Sequence, residues 1–167
     1  MHNNMDIYIQ QLSAEDTPAA EALASVMISA WRAGFRGILP ETTIEKYTQF
    51  YPCADMFRQI IASGIGTMYL ARLDGQTVGL LYRISEGKTF RIEALFTLPE
   101  VWGTGVAAQL IHRALQDASG CSCVTVWPFA ENHRARRFYE KHGFSPTGRS
   151  RMGDAEEVEY LRTTATT

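Results

Sequence analysis

The chain has 167 residues, enough for one domain with a sizeable core. Hydrophobic residues make up 46% and charged residues 20%, the balance of an ordinary soluble globular protein. A formal net charge of −2 argues against a general nucleic-acid or membrane-surface binder, no apolar run approaches the length of a membrane span, and no signal peptide opens the chain.

"DIYIQQL" (6–12) predicts a short strand. Ser13 followed by Asp16 makes a capping-box-like start, with Asp in place of Glu or Gln. Leu23, Val26, Met27 and Ala30 then recur at helical spacing, so a long amphipathic helix is predicted over 14–34. "GILPE" breaks it, and Pro40 with its threonines starts a second helix near 41–49. "ADMFRQIIASG" (54–64) predicts a third, closed by Gly64. The period then changes to that of strands. "TMYLARL" (67–73), the turn Asp74-Gly75 and "TVGLLYRI" (77–84) predict a hairpin, and "GKTFRIEALFTL" (87–98) a further strand. A helix over 105–120, a strand "CSCVTVW" (121–127) and a helix over 132–143 follow. "FSPTGRS" (144–150) and "EEVEYLR" (156–162) predict two last strands. No repeat, low-complexity segment or internal linker divides the chain, so 1–167 reads as a single domain. Hairpin strands followed by strand–helix–strand imply a mixed sheet with helices on its faces.

Cys53, Cys121 and Cys123 are too few and oddly numbered for a disulfide framework. The CxC pair lacks further Cys or His to complete a metal site, so no metal and a reducing cytoplasm are expected.

Gly103 and Gly105, with Ala107 and Ala108, crowd the start of the helix at 105–120, although glycine there costs helix stability. A helix N-terminus offers unpaired N–H groups to an anion, and glycine lets a phosphate approach them. A tight turn with glycines for conformation alone fits the same residues. A P-loop requires Gly-Lys-Ser/Thr, and "GVAA" stands there instead. The Rossmann fingerprint is formally matched by Gly103, Gly105 and Ala108, but "PEVW" separates the first glycine from its strand.

"LFTLPEVWGTGVAAQLI" resembles the acetyl-CoA motif of the GCN5-related N-acetyltransferase (GNAT) superfamily, Q/R-x-x-G-x-G/A, which falls on Trp102, Gly103, Thr104, Gly105, Val106 and Ala107. Trp102 departs from the usual Gln or Arg. "NHRARRFYEKHGF" is similar to the second motif of the family, at Asn132, Ala135, Tyr139, Gly143 and Phe144. "SAWRAGFRGILPE" resembles the first-helix segment of a common bacterial branch. Together these cover most of residues 20–150 in the right order. The resemblance implies an α/β (α+β) GNAT fold: a mixed, mostly antiparallel sheet of six to seven strands, flanked by helices, with splayed central strands.

It also implies direct transfer of acetyl from the co-substrate acetyl-CoA to a primary amine of a small molecule or peptide, within a ternary complex. The runner-up is a module of the same fold that binds CoA without turnover. No nucleic-acid or membrane partner is expected, and a homodimer is left open. The N–H groups from Gly103 to Ala107 would hold the pyrophosphate. The pantetheine arm would run along Leu95, Phe96 and Thr97, where a free N–H would steady the oxyanion. Pro128, without a ladder donor, either helps the strands part or marks a strand end.

Tyr139 matches the tyrosine that protonates the leaving thiolate in many members; a phenol with a pKa near ~10 carries its proton at neutral pH. A core tyrosine is the alternative. Asn132 is an N-cap, a CoA contact, or both. Where many members place a glutamate base this chain has Arg91, and Glu93, on the same strand face, either takes that role through water or pairs with Arg91. Trp31, Phe35 and Arg36 end the helix that walls the acceptor pocket in the family. Arg134, Arg136, Arg137 and Lys141 form a basic helix face from which one residue could meet a CoA phosphate.

Overall fold

Seven strands form one sheet in the computed structural model, which describes residues 6–118 and 120–164. They are β1 (Ile7–Gln11), β2 (Thr67–Leu73), β3 (Gln76–Glu86), β4 (Thr89–Thr97), β5 (Cys123–Val126), β6 (Ser145–Met152) and β7 (Glu156–Thr163). Their order across the sheet is β1-β2-β3-β4-β5-β7-β6, antiparallel except for the parallel pair β4–β5. The helices are α1 (Ala20–Gly34), α2 (Glu41–Tyr47), α3 (Phe50–Ser63), α4 (Val106–Gln116) and α5 (His133–Lys141). Element order and sheet type agree with the sequence reading.

Several boundaries differ. The first helix starts at Ala20, not 14, after a 3-10 turn at Thr17–Ala19. The reason is Pro18, which has no N–H for a continuous helix at that position. Only half of the expected capping box forms: the Ser13 N–H and hydroxyl both donate to Asp16 Oδ2, at 2.7 and 3.1 Å. In contrast, α3 begins four residues before "ADMF", because Pro52 falls in its first turn, where a missing donor costs nothing. The predicted end of α4 at 120 retreats to Gln116, and Ser119 lies outside the described residues. The β2–β3 turn takes φ of +50° at Asp74 and +82° at Gly75, the hairpin geometry that this pair of residues favours.

Both faces of the sheet are covered near its middle. In β2, Met68 and Leu70 join Leu23, Val26, Phe57 and Ile61 beneath α1 and α3. Tyr69 and Ala71 join Phe90, Leu110, Ile111 and Val124 on the face under α4 and α5. This two-sided burial explains why "TMYLARL" reads as nearly continuous hydrophobicity.

Two irregularities in β4 open the middle of the sheet. Tyr82 lies opposite Ala94 and Arg83 opposite Ile92, so Glu93 is an extra residue in β4. Such a bulge inverts the alternation of side chains beyond it. Phe90 and Ile92 face the α4–α5 core, yet Ala94 and Phe96 turn to the α1–α3 core and Leu95 takes up the first face. At the same place, β4 and β5 part. Their pairing runs from Thr89↔Cys123 to Ile92↔Val126 and stops. Beyond it β4 stays with β3, while the chain after β5 follows β7, with Val158 N–H donating to Pro128 O at 2.9 Å and Ala130 N–H to Glu156 O at 2.8 Å. A strand residue directs its N–H and C=O to the same side. The donor that Pro128 lacks therefore faces β7, and Pro128 does not create the gap by withholding it.

Gly79 of β3 lies beneath the start of α4. A Cβ there would stand 3.1 Å from Leu110 Cδ1 and 3.2 Å from both Thr97 Cγ2 and Val106 Cγ1. Gly79→Ala is expected to lower stability by about 1–3 kcal/mol through overpacking. Chemical denaturation measures this; an unchanged midpoint would mean that α4 shifts freely.

Candidate functional site

The parted strands open into a cavity of about 590 Å³. Its walls come from the end of α1, the free half of β4, the glycine corner before α4, the segment after β5, and α5. Of the residues singled out from sequence, Trp31, Phe35, Glu93, Leu95, Phe96, Thr97, Trp102, Gly103, Gly105, Ala107, Asn132 and Tyr139 all line it. Thr104 and Val106 do not. The Thr104 hydroxyl donates to Val101 O, and the Val106 side chain is fully buried in the core, so only their backbone belongs to the corner. Arg36 also stays outside, in an exposed ion pair with Glu41 at 3.5 Å.

At the corner a 3-10 turn, Pro99–Val101, leads into extended Trp102 and then Gly103 and Gly105, with φ of +80° and +95°. L side chains rarely adopt those angles. A Cβ at either glycine would meet nothing within 4 Å, so the space in front is open. The first intrahelical acceptor is Gly105 O, which takes Gln109 N–H at 3.0 Å. The N–H groups of Gly103 and of residues 105–108 make no hydrogen bond among the described residues. They are an N-terminal donor set without an acceptor. The corner is tied to β4 through Trp102 Nε1, which donates to Thr97 O at 3.3 Å. The guanidinium of Arg134 covers the Trp102 ring, 3.6 Å from its centroid.

Asn132 caps α5, its side-chain oxygen accepting from Ala135 N–H at 3.2 Å. Two turns on, Tyr139 is 6% exposed, its ring 5.4 Å from that of Phe138 and 5.5 Å from that of Phe144. Burial pushes its phenol well above the ordinary value. No hydrogen bond from its hydroxyl forms among the described residues. α5 is fastened to β7 by buried Tyr160, whose hydroxyl donates to Glu140 at 2.7 Å and accepts from Arg136 Nε at 3.1 Å. Arg136 is thereby committed, also donating to Ala130 O at 2.8 Å. His142 is held below its ordinary value by burial and by the charges of His112, Lys141 and Arg162, so it is neutral at pH 7.

On β4, Arg91 Nε pairs with Glu93 and Arg91 Nη1 with Glu86 at 2.9 Å. Hydrogen bonding to Glu93 is the main cause that raises the Arg91 pKa further. Across the gap Phe35 stands edge-on to Trp31 and to Phe129, each with centroids 5.0 Å apart, and 6.4 Å from Phe96. Trp31 Nε1 is buried without a partner among the described residues.

Sequence reading missed Trp127, Phe129, Phe138, Arg151 and Glu157, which also line the cavity. Phe129 carried a weak signal as an aromatic directly past a strand end. The Arg151–Glu157 pair, at 2.9 Å, had none, since it exists only through the β6–β7 register. Among the described residues no group of three or more His, Cys, Asp or Glu could hold a metal ion, and no helix is long and apolar enough to cross a membrane.

A family model described as the acetyltransferase (GNAT) family matches residues 29–144. An uncharacterized N-acetyltransferase of Mycobacterium tuberculosis (strain ATCC 25618 / H37Rv) is 36% identical over 96 residues, covering 54% of this chain and 62% of the relative. One from Archaeoglobus fulgidus is 31% identical over 102 residues, covering 56% of this chain and 69% of the relative. The chain thus spans less than two thirds of the mycobacterial relative. Its fold is similar to that of the PaiA N-acetyltransferase from Thermoplasma acidophilum in complex with coenzyme A, with a TM-score of 0.79, 19% identity, and 95% of this chain and 99% of the other covered.

The burial of Tyr139 makes stability depend on alkaline pH. With its folded pKa raised above the unfolded value near ~10, the folded state keeps a proton that the unfolded state releases. Its contribution is whole below about pH 10 and is lost as pH rises beyond it. Tyr139→Phe is expected to flatten the fall of the unfolding midpoint above that pH. Denaturant midpoints measured from pH 8 to 11 test this, and parallel curves for the two proteins would contradict it.

Proposed function

The chain belongs to the acetyltransferase (GNAT) family, and we propose that it moves acetyl from acetyl-CoA to a primary amine of a small molecule or peptide, by direct transfer in a ternary complex. One observation carries this reading: a single cavity connects unpaired N–H groups at a glycine corner, the bare edge of a strand, and a buried phenol without a partner among the described residues.

The residues fit the co-substrate. An anion of pyrophosphate size requires backbone donors and no Cβ in the way, and the corner from Gly103 to Ala107 supplies both. An extended pantetheine arm, with amide groups of its own, fits the free edge of β4 at Leu95, Phe96 and Thr97 as an added strand would. Asn132 uses its oxygen in the cap, which leaves its amide NH₂ to donate to the arm.

When bound, the thioester supplies an activated acyl group and a thiolate leaving group. The edge N–H of Leu95 steadies the oxygen that gains charge, since Phe96 turns its own N–H to β3. Tyr139, which keeps its proton throughout the neutral range, gives it to the departing sulfur. Glu93, fixed by Arg91 at the mouth of the fork, draws the proton from the amine through water. Trp31 and Phe35, with Phe96 and Phe129, give the acceptor an aromatic wall.

An amine library offered with acetyl-CoA, read by release of free thiol, tests the activity. Binding of CoA without thiol release for any amine would make the chain a CoA-binding module instead. The cradle is tested by two substitutions of equal size. Gly105→Asn and Gly105→Asp share the backbone strain at φ +95°, but only Asp puts a negative charge against the pyrophosphate. Asp is expected to abolish acetyl-CoA binding in calorimetry and Asn only to weaken it; equal affinities would remove the cradle from the reading.

Tyr139→Phe keeps the ring and its packing. Turnover is expected to fall roughly 10²–10⁴-fold, the usual contribution of a general acid, with acetyl-CoA affinity unchanged. A loss within about threefold, far below that range, with chemistry rate-limiting, would reduce Tyr139 to packing.

A further inference from the structure

The cations that line the cavity are not alike. Arg91 is shared between Glu93 and Glu86, and Arg151 is paired with Glu157. Lys141, exposed on α5 as Arg134 also is, stacks on no ring among the described residues. Arg134 differs from all of these. It has no carboxylate partner among the described residues, and its position is nevertheless specified. The guanidinium lies 3.6 Å from the centre of the Trp102 ring. Its Nη2 reaches across the cavity mouth to within 3.5 Å of where a Cβ at Gly34 would be, at the last turn of α1. The negative end of the α1 dipole favours a cation there.

Face-on stacking uses the π surface of a guanidinium and leaves its N–H groups, which radiate in its plane, free. Trp102 is also the residue that leads into Gly103, so the guanidinium is held on the residue that enters the corner, and both line the same cavity. A side chain held by stacking, with its donors unspent, matches what bidentate recognition of phosphate oxygens requires. We propose that Arg134, positioned on Trp102, is the side-chain cation that grips the pyrophosphate of the co-substrate and completes a cradle otherwise made of backbone. This assignment rests on the proposal that the cavity holds CoA.

The test is calorimetry on the full chain with three ligands: CoA, 3′-dephospho-CoA and pantetheine. Arg134→Gln is expected to weaken CoA and dephospho-CoA alike by roughly 10- to 100-fold, the worth of a charge-assisted hydrogen bond, and to leave pantetheine unchanged. Arg134→Lys keeps the charge without the fork and recovers part of the loss. Trp102→Leu removes the platform and falls between. Dephospho-CoA affinity within about twofold of wild type in Arg134→Gln, far below that range, would show that Arg134 only packs on Trp102. A loss for CoA alone would place Arg134 on the ribose phosphate and overturn the pyrophosphate assignment. A wild-type chain that binds none of the three ligands overturns the CoA reading and this assignment with it, whereas a wild type that binds and a variant that binds equally overturns only the latter.

Discussion

The site depends on one constraint: two adjacent strands of a continuous sheet must stay apart. Backbone N–H and C=O groups seek partners, and a bare strand edge inside a protein is costly to keep. Here β4 and β5 are paired only through Ile92↔Val126. The extra residue at Glu93 bends β4 away, and β7 takes up the backbone after β5 through Pro128 and Ala130. Phe35 then stands between the diverging arms, in contact with Phe129 on one and near Phe96 on the other. Bulge, competing strand and aromatic wedge act together, and the result is an edge that an extended ligand can pair with.

The two cores serve this opening from opposite faces. The α1–α3 core fixes the end of α1, which carries Trp31, Gly34 and Phe35 to the cavity. The α4–α5 core sets the two helices whose starts flank its mouth. Each of these helices is pinned by a buried tyrosine. Tyr69 donates to Asp117 at 2.7 Å and anchors the end of α4 to β2, while Tyr160 anchors α5 to β7. A rigid frame matters because hydrogen-bond donors act on a bound group only when they are already in place. The glycine corner and Tyr139 are thus held by packing remote from the cavity.

Much of this was legible in the sequence. Elements followed from periodicity, and the corner was visible because glycine at a helix start contradicts helix propensity. The structure resolves that contradiction, since Gly103 and Gly105 occupy left-handed backbone in front of open space. Helix starts were less legible, because Pro18 delayed one helix and Pro52 was absorbed into the first turn of another. Pro128 suggested the gap but faces the other way. The bulge at Glu93 has no local marker; it is a property of the β3–β4 register.

By itself the sequence determined the fold class, the glycine corner before α4, and the helix that carries Tyr139, because each is written in short-range patterns of polarity and backbone freedom. Tertiary structure decided the rest. It set Glu93 against Arg91, committed Arg136 to Tyr160, left Arg134 stacked without a carboxylate among the described residues, and brought Phe129 against Phe35. Those outcomes join residues far apart in the chain, or depend on which side of a bulged strand a residue falls. Periodicity carries no record of either, since one extra residue in one strand exchanges its two faces.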